Sequence, residues 1–173
     1  MHIELTNHCI YIEPIMDVKY TSRAVFTNQV AYSTKTTTKW VDDTLKRYYA
    51  TNIEARKYHA KIHFNVHRLT PIIFTTNNGF LLFPLPEKQF KLNNYWINLS
   101  KCYAFKESDT GVIVEFTNGS KLDIPISITA FERQYTRALF LNDQYGKFVI
   151  ARDNRNHMNY NDTIIYNMSN SNE

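Results

Sequence analysis

The sequence predicts an α+β fold, a mainly antiparallel β-sheet flanked by two helices at about 41–55 and 129–142. Three observations carry this. VIVEFTNGSKLDIPIS (112–127) and PIIFTTNNGFLLFPLP (71–86) each hold two apolar runs around an Asn-Gly turn signal, the pattern of a β-hairpin. Val41, Leu45, Tyr48 and Asn52 stand at 0, +4, +7 and +11, which is helical spacing. Phe131, Tyr135, Ala138 and Leu139 stand at 0, +4, +7 and +8, again on one helical stripe.

The remaining elements follow in order. CIYIEPIM (9–16) and AVFTNQVAY (24–32) are β-rich and predict strands; STKTTTK (33–39) predicts a loop. Asp42 and Asp43 are expected in the first turn of the first helix, where negative charge suits the helix dipole, and Lys46 and Arg47 lie off its apolar stripe. In the 71–86 hairpin Asn77-Asn78-Gly79 marks the turn and Pro84 and Pro86 end the second strand. PEKQFKLNN (86–94) predicts a loop, and YWINLSKCYAF (95–105) another strand. For the 112–127 hairpin a two-residue Asn118-Gly119 loop would set Val114 opposite Asp123. A three-residue loop, Thr117 to Gly119, sets Val112, Val114 and Phe116 opposite Ile124, Leu122 and Ser120. Only the longer loop matches the faces, and it needs a left-handed Gly119. Thr129 and Glu132 fit a capping box for the second helix, with Arg133, Gln134 and Arg137 away from its stripe.

KYHAKIHFNVHRL (57–69) alternates without a break from Lys57 to Val66 and His67. Tyr58, Ala60, Ile62, Phe64 and Val66 occupy one parity, and Lys57, His59, Lys61, His63, Asn65 and His67 the other. Period two predicts a half-buried strand with a basic polar face. On a strand, histidines four apart are separated by about 13 Å and cannot share one ion, so no metal is expected. The strip would gain charge as its histidines protonate below about pH 6.5.

The chain has 173 residues, 43% of them hydrophobic, with four glycines and five prolines, so one domain over 1–146 can fill a core. Seven of the twenty residues from 154 to 173 are asparagine, and 147–173 is expected to be a polar, disordered tail, with a short segment at TIIYNM. The start, MHIELTNHCIYIEPIM, lacks a basic lead and a long apolar run, so neither signal peptide nor membrane span is expected. Cys9 and Cys102 make no disulfide framework or zinc knuckle and predict reduced thiols in a cytoplasmic protein.

Net charge is +4, but residues 19–68 hold 10 Lys/Arg against 3 Asp/Glu. Such asymmetry fits an anionic partner, and it equally fits a solvated basic face. No phosphate-cradling glycine loop, Cys-x-x-Cys, His-Glu-x-x-His or nucleophile elbow is present, so no catalytic residue is named and no enzyme is expected. Cations on the 57–67 strip neutralise phosphates, and Lys and Arg enter narrow A·T-rich minor grooves. Tyrosine and histidine stack on unpaired bases, which keeps single-stranded DNA or RNA open as a partner. A protein-interaction module with a basic face stays open too.

The second half carries a resemblance. Leu81-Leu82-Phe83-Pro84, Trp96-Ile97, Phe116 to Gly119, Leu122 to Ser127 and Phe131 to Arg137 occur in order, with Arg56-Lys57 upstream. This run resembles the ComK family of competence transcription factors, strongly over about 71–141 and more weakly over about 40–70. The resemblance implies a cytoplasmic, nucleoid-associated bacterial activator of DNA-uptake genes. It implies binding to paired A/T-rich boxes of duplex DNA, largely through the minor groove, as a homo-oligomer and without a cofactor. A proteolytic adaptor and RNA polymerase are the further partners it implies. The short, asparagine-rich C-terminal region departs from the family. The contact residues expected from charge and face are Arg47, Arg56, Lys57, Lys61 and Arg68, with Arg133 and Arg137 as second choices.

Overall fold

A computed structural model describes residues 3–77, 79–86 and 93–169, with side chains through residue 155. Asn78 of the expected turn and residues 87–92 of the expected loop lie outside the described residues, as do the side chains of TIIYNM. The strands are β1 (Cys9–Pro14), β2 (Ser22–Phe26), β3 (Val30–Ser33), β4 (Ile72–Thr75), β5 (Phe80–Leu85), β6 (Tyr95–Asn98), β7 (Cys102–Glu107), β8 (Val112–Phe116) and β9 (Lys121–Ile124). The helices are α1 (Thr37–Tyr48), α2 (Ile53–Phe64) and α3 (Ile128–Ser169). The fold is α+β, as expected, with one helix more. The six-stranded sheet runs β3-β2-β1-β6-β5-β4 and the three-stranded sheet β7-β8-β9, and every pairing is antiparallel.

The central strands β1, β5 and β6 are buried at every position. An antiparallel sheet usually leaves one face to solvent; this one is covered on both. On one face Ile12, Ala24, Trp96 and Leu82 pack with Trp40, Val41 and Leu45 of α1 and Ile53 of α2. On the other, Tyr11 stacks on Phe116 of β8 at 5.1 Å and Phe83 meets Phe131 of α3 edge-on at 5.9 Å. Phe105 of β7 closes the layer against Phe131 at 4.6 Å. Trp96, Phe80, Phe83, Phe116 and Phe131 are fully buried. Each contributes roughly 1.5–3 kcal/mol through the apolar surface it removes from water.

Several expectations change in detail. The stretch 24–32 is a hairpin and not one strand, because Phe26 N–H donates to the Gln29 carbonyl at 2.8 Å and closes a turn over Thr27-Asn28. The stretch 95–105 is broken by a short 3-10 turn at Leu99–Lys101, capped by Asn98. Pro84 sits inside β5, beyond the last β4 pair (Ile72–Leu82), so its missing N–H leaves no β4 acceptor unmatched. The 112–127 hairpin has the register argued from its faces: Val112 opposite Ile124, Val114 opposite Leu122, and Gly119 at φ +81°.

The first helix differs from 41–55. Thr36 caps it, accepting from Lys39 N–H at 3.2 Å, and it starts at Thr37, inside the expected loop. Asp42 and Asp43 therefore lie in its second turn and serve as pairing groups. The helix stops at Tyr48, and Ala50 turns left-handed at φ +50°. Asn52 then caps α2 by accepting from Ala55 N–H at 2.8 Å, and Asp42 accepts from Ile53 N–H at 3.0 Å. The strand expected at 57–67 is thus overturned: Lys57 to Phe64 is the body of α2, ended by Asn65 at φ +55°.

α3 starts at Ile128, where Ser127 Oγ accepts from Ala130 N–H at 3.2 Å; the cap lies two residues before the expected Thr129. Its buried stripe is Phe131, Gln134, Ala138 and Leu141, and Leu139 is nearly half exposed. Residues 3–142 lie in one compact unit; the unit from Asp143 onward contains the rest of α3, where Lys147 pairs with Asp143 at 2.7 Å.

Gly111 and Gly119 separate two kinds of glycine requirement. A Cβ on Gly111 would lie 2.1 Å from the Ile124 carbonyl oxygen, whereas one on Gly119 meets nothing and only its left-handed φ resists substitution. Gly111→Ala should destabilise by about 2–4 kcal/mol. Gly119→Ala should cost about 1–2 kcal/mol. Urea unfolding of both variants checks the order.

Candidate nucleic-acid interface

On α2 the stripe Ile53, Arg56, Lys57, Ala60 and Phe64 is buried or half-buried. The opposite stripe, Glu54, Ala55, Tyr58, Lys61 and Ile62, is exposed, with Tyr58 at 68% and Ile62 at 58%. Beyond Asn65 the chain turns back through Arg68 (φ +54°) and Leu69 (φ +42°), two successive left-handed non-glycine residues. Such conformations cost about 1–3 kcal/mol each and persist only where surroundings hold them. α3 holds these two. The Arg137 guanidinium donates to the Arg68 carbonyl at 2.8 Å, and the Gln134 amide donates to the Leu69 and Pro84 carbonyls, both at 3.3 Å. Arg137 also donates to Gln134 Oε1 at 3.1 Å. Gln134, expected off the stripe, is buried because its amide satisfies backbone groups that burial would otherwise orphan.

Two grooves adjoin at this segment and share Val66 and His67. One, of about 520 Å³, is lined by Lys57, Tyr58, Lys61 and Arg68. The other, of about 530 Å³, is lined by Phe64, Arg133, Arg137 and Phe140. Five of the seven expected contact residues, Lys57, Lys61, Arg68, Arg133 and Arg137, therefore come together. Arg47 is exposed but lines a different groove, with Tyr20, Tyr32 and Lys35. Arg56 is half-buried, and its Nε has no hydrogen-bond partner among the described residues.

Ion pairing separates the cations further. Lys35 and Lys39 both bind Asp43, the latter at 2.9 Å, and Lys46 binds Asp42 at 2.6 Å. Among the described residues Lys57 pairs only with the exposed Glu54, at 3.1 Å, a surface pair of small net value. Among the described residues Lys61, Arg68, Arg133 and Arg137 have no carboxylate within ion-pair distance. Burial, with Arg133 nearby, lowers the Arg137 guanidinium from its usual range, as expected where cations converge.

Tyr58, His67 and Phe140 complete the grooves. Tyr58 was placed on the core parity by the alternation, and its outward direction follows only from the helix. Both cysteines are free thiols; burial pushes Cys9 far up and Cys102 up to about 11, so neither is a reactive nucleophile. No helix among the described residues is long and apolar enough to cross a membrane.

Burial alone would raise the Asp43 carboxyl, but hydrogen bonds from Lys35 and Lys39 outweigh it and hold it at about 2. The unfolded value is near 3.9. Its contribution to stability is present above pH 4 and is lost as pH falls toward about 2. Asp43→Asn should cost about 1 kcal/mol at pH 7, since both lysines are well exposed, and the difference from wild type should close by about pH 2. Denaturant titrations at several pH values measure it.

A family model described as ComK protein matches residues 2–147 of the 173. No curated protein and no solved structure matches the chain. The matched span covers both sheets, α1, α2 and the start of α3, hence every residue of the paired grooves. The chain belongs to the ComK family, a family of transcription factors of competence and not of enzymes.

Proposed function

We propose that this chain binds A/T-rich duplex DNA through the paired grooves between α2, the 65–70 segment and α3, and thereby activates genes for DNA uptake. The observation that carries this is the convergence of Lys57, Lys61, Arg68, Arg133 and Arg137 on two adjoining grooves whose lining, among the described residues, includes a single carboxylate, Glu54. Lysine and arginine there neutralise phosphates and release counterions, and an arginine from the strained segment can enter a narrow A·T-rich minor groove. Strain at Arg68 and Leu69 supports the reading, since left-handed non-glycine residues gather where a side chain must be aimed. Family membership supports a homo-oligomer acting on paired boxes in the bacterial nucleoid, with an adaptor and RNA polymerase as further partners. Arg47 and Arg56 are secondary contacts in this reading.

The exposed Tyr58 beside Lys57 and Lys61 favours one other reading, single-strand or RNA binding by stacking on unpaired bases. Competition between A/T-rich duplex, G/C-rich duplex and single strands decides between them. Preference for the single strand would overturn the duplex reading, and equal indifference to all would point to a protein partner.

Lys57→Ala with Lys61→Ala should weaken binding to all duplex sequences alike. It should also lower the slope of log affinity against log salt by about 1 per lysine, measured by fluorescence anisotropy. Wild-type affinity and slope would remove α2 from the interface. Arg68→Gly should leave stability unchanged or raise it by up to about 1 kcal/mol, because glycine adopts φ +54° without strain, while DNA affinity falls. A loss of stability with affinity intact would contradict a contact role for Arg68.

A further inference from the structure

We propose that His59 and His63 together bind one divalent transition-metal ion of the zinc, nickel or copper class. The exclusion of a shared ion depended on a strand, and the residues are helical. One turn apart on α2, their ring centroids are 4.3 Å apart with planes inclined at 38°. Two imidazoles at this spacing on one helix face can reach a single ion through bonds of about 2 Å. Phe64 lies beside both rings, with centroids 5.9 Å from His59 and 6.1 Å from His63.

The surroundings define the kind of site. His63 is exposed and His59 half-buried, so an ion reaches the pair from solvent and keeps water in its other positions. Among the described residues no group of three or more His, Cys, Asp and Glu side chains could hold a metal, so the ion is exchangeable and not a structural zinc. Imidazole donors select zinc, nickel and copper over magnesium and calcium. The positive charge of Arg56 limits affinity, which places the site among reversible surface sites.

Calorimetric titration of zinc chloride and nickel chloride into the full chain, at pH 7.5 and without DNA, tests this independently of the DNA-binding reading. One ion per chain is expected, with no binding of magnesium. His63→Ala, at an exposed position that should fold normally by circular dichroism, should weaken binding at least tenfold. His67→Ala should leave it unchanged, because His67 lies beyond α2, with its Nε2 2.7 Å from Asn65 Oδ1. Absence of zinc and nickel binding, or binding that survives His63→Ala unchanged, overturns the assignment.

Discussion

The six-stranded sheet must be covered on both faces, and the rest of the domain follows from that requirement. Its central strands carry large apolar side chains at both parities, Ile12 and Leu82 on one side, Tyr11 and Phe83 on the other. Either face left open would expose several aromatic rings to water, at about 25 cal/mol for each Å². One cover is α1 with the first turn of α2. The other is the β7–β9 sheet with α3. The link from α2 to β4 therefore runs from one cover into the sheet beside α3, and this link is the 65–70 segment. The paired grooves lie where the two covers meet it.

Such a link must satisfy its backbone without regular structure. Arg68 and Leu69 adopt left-handed conformations that leave their carbonyls unmatched by any strand. Gln134 and Arg137, one helical turn apart on α3, supply the donors. Gln134 is the more consequential, because it is buried and also serves the Pro84 carbonyl at the end of β5 that β4 does not reach. Removing its amide would orphan two carbonyls, at about 1–3 kcal/mol for each buried group left unsatisfied. Arg137 has two functions: its backbone contact fixes the segment, and its charge adds to the groove. Arg133, one turn before, is exposed and carries only the second.

Much of the fold was legible in the sequence because its signals were local. Turn chemistry placed both Asn-Gly hairpins, and matching faces chose the three-residue loop over the two-residue one. The 57–67 stretch failed for a definable reason. Period-two alternation predicts a strand when apolar means buried, but Tyr58 and Ile62 point to solvent, while Arg56 and Lys57 lie on the half-buried side. Two of the five apolar positions thus belong to a surface and not to the core. The helix signals were present at its ends, Asn52 as the N-cap and Asn65 as the left-handed C-cap, with Ile53 and Ala60 at an interval of seven between them. Charge pointed to the basic residues that line the candidate grooves. Their grouping was not, since bringing Lys57 beside Arg68 and Arg68 beside Arg137 depends on a left-handed turn and a buried glutamine that no local pattern marks.

The change from strand to helix alters what the basic strip can do. Lys57 and Lys61 would stand about 13 Å apart along a strand; on α2 they are about 6 Å apart along the axis, on neighbouring turns. The same contraction that separates fewer ångströms between the lysines brings His59 and His63 into ring contact. Charge density on the helix rises, and with it the local attraction for a polyanion. Density also has a cost, because like charges one turn apart repel and lower each other's protonation. His59 shows this: burial is the larger cause, but His63 and Arg56 also hold it below its ordinary range. The proposed DNA contacts Lys57 and Lys61 and the proposed metal ligands His59 and His63 thus alternate along the same helix.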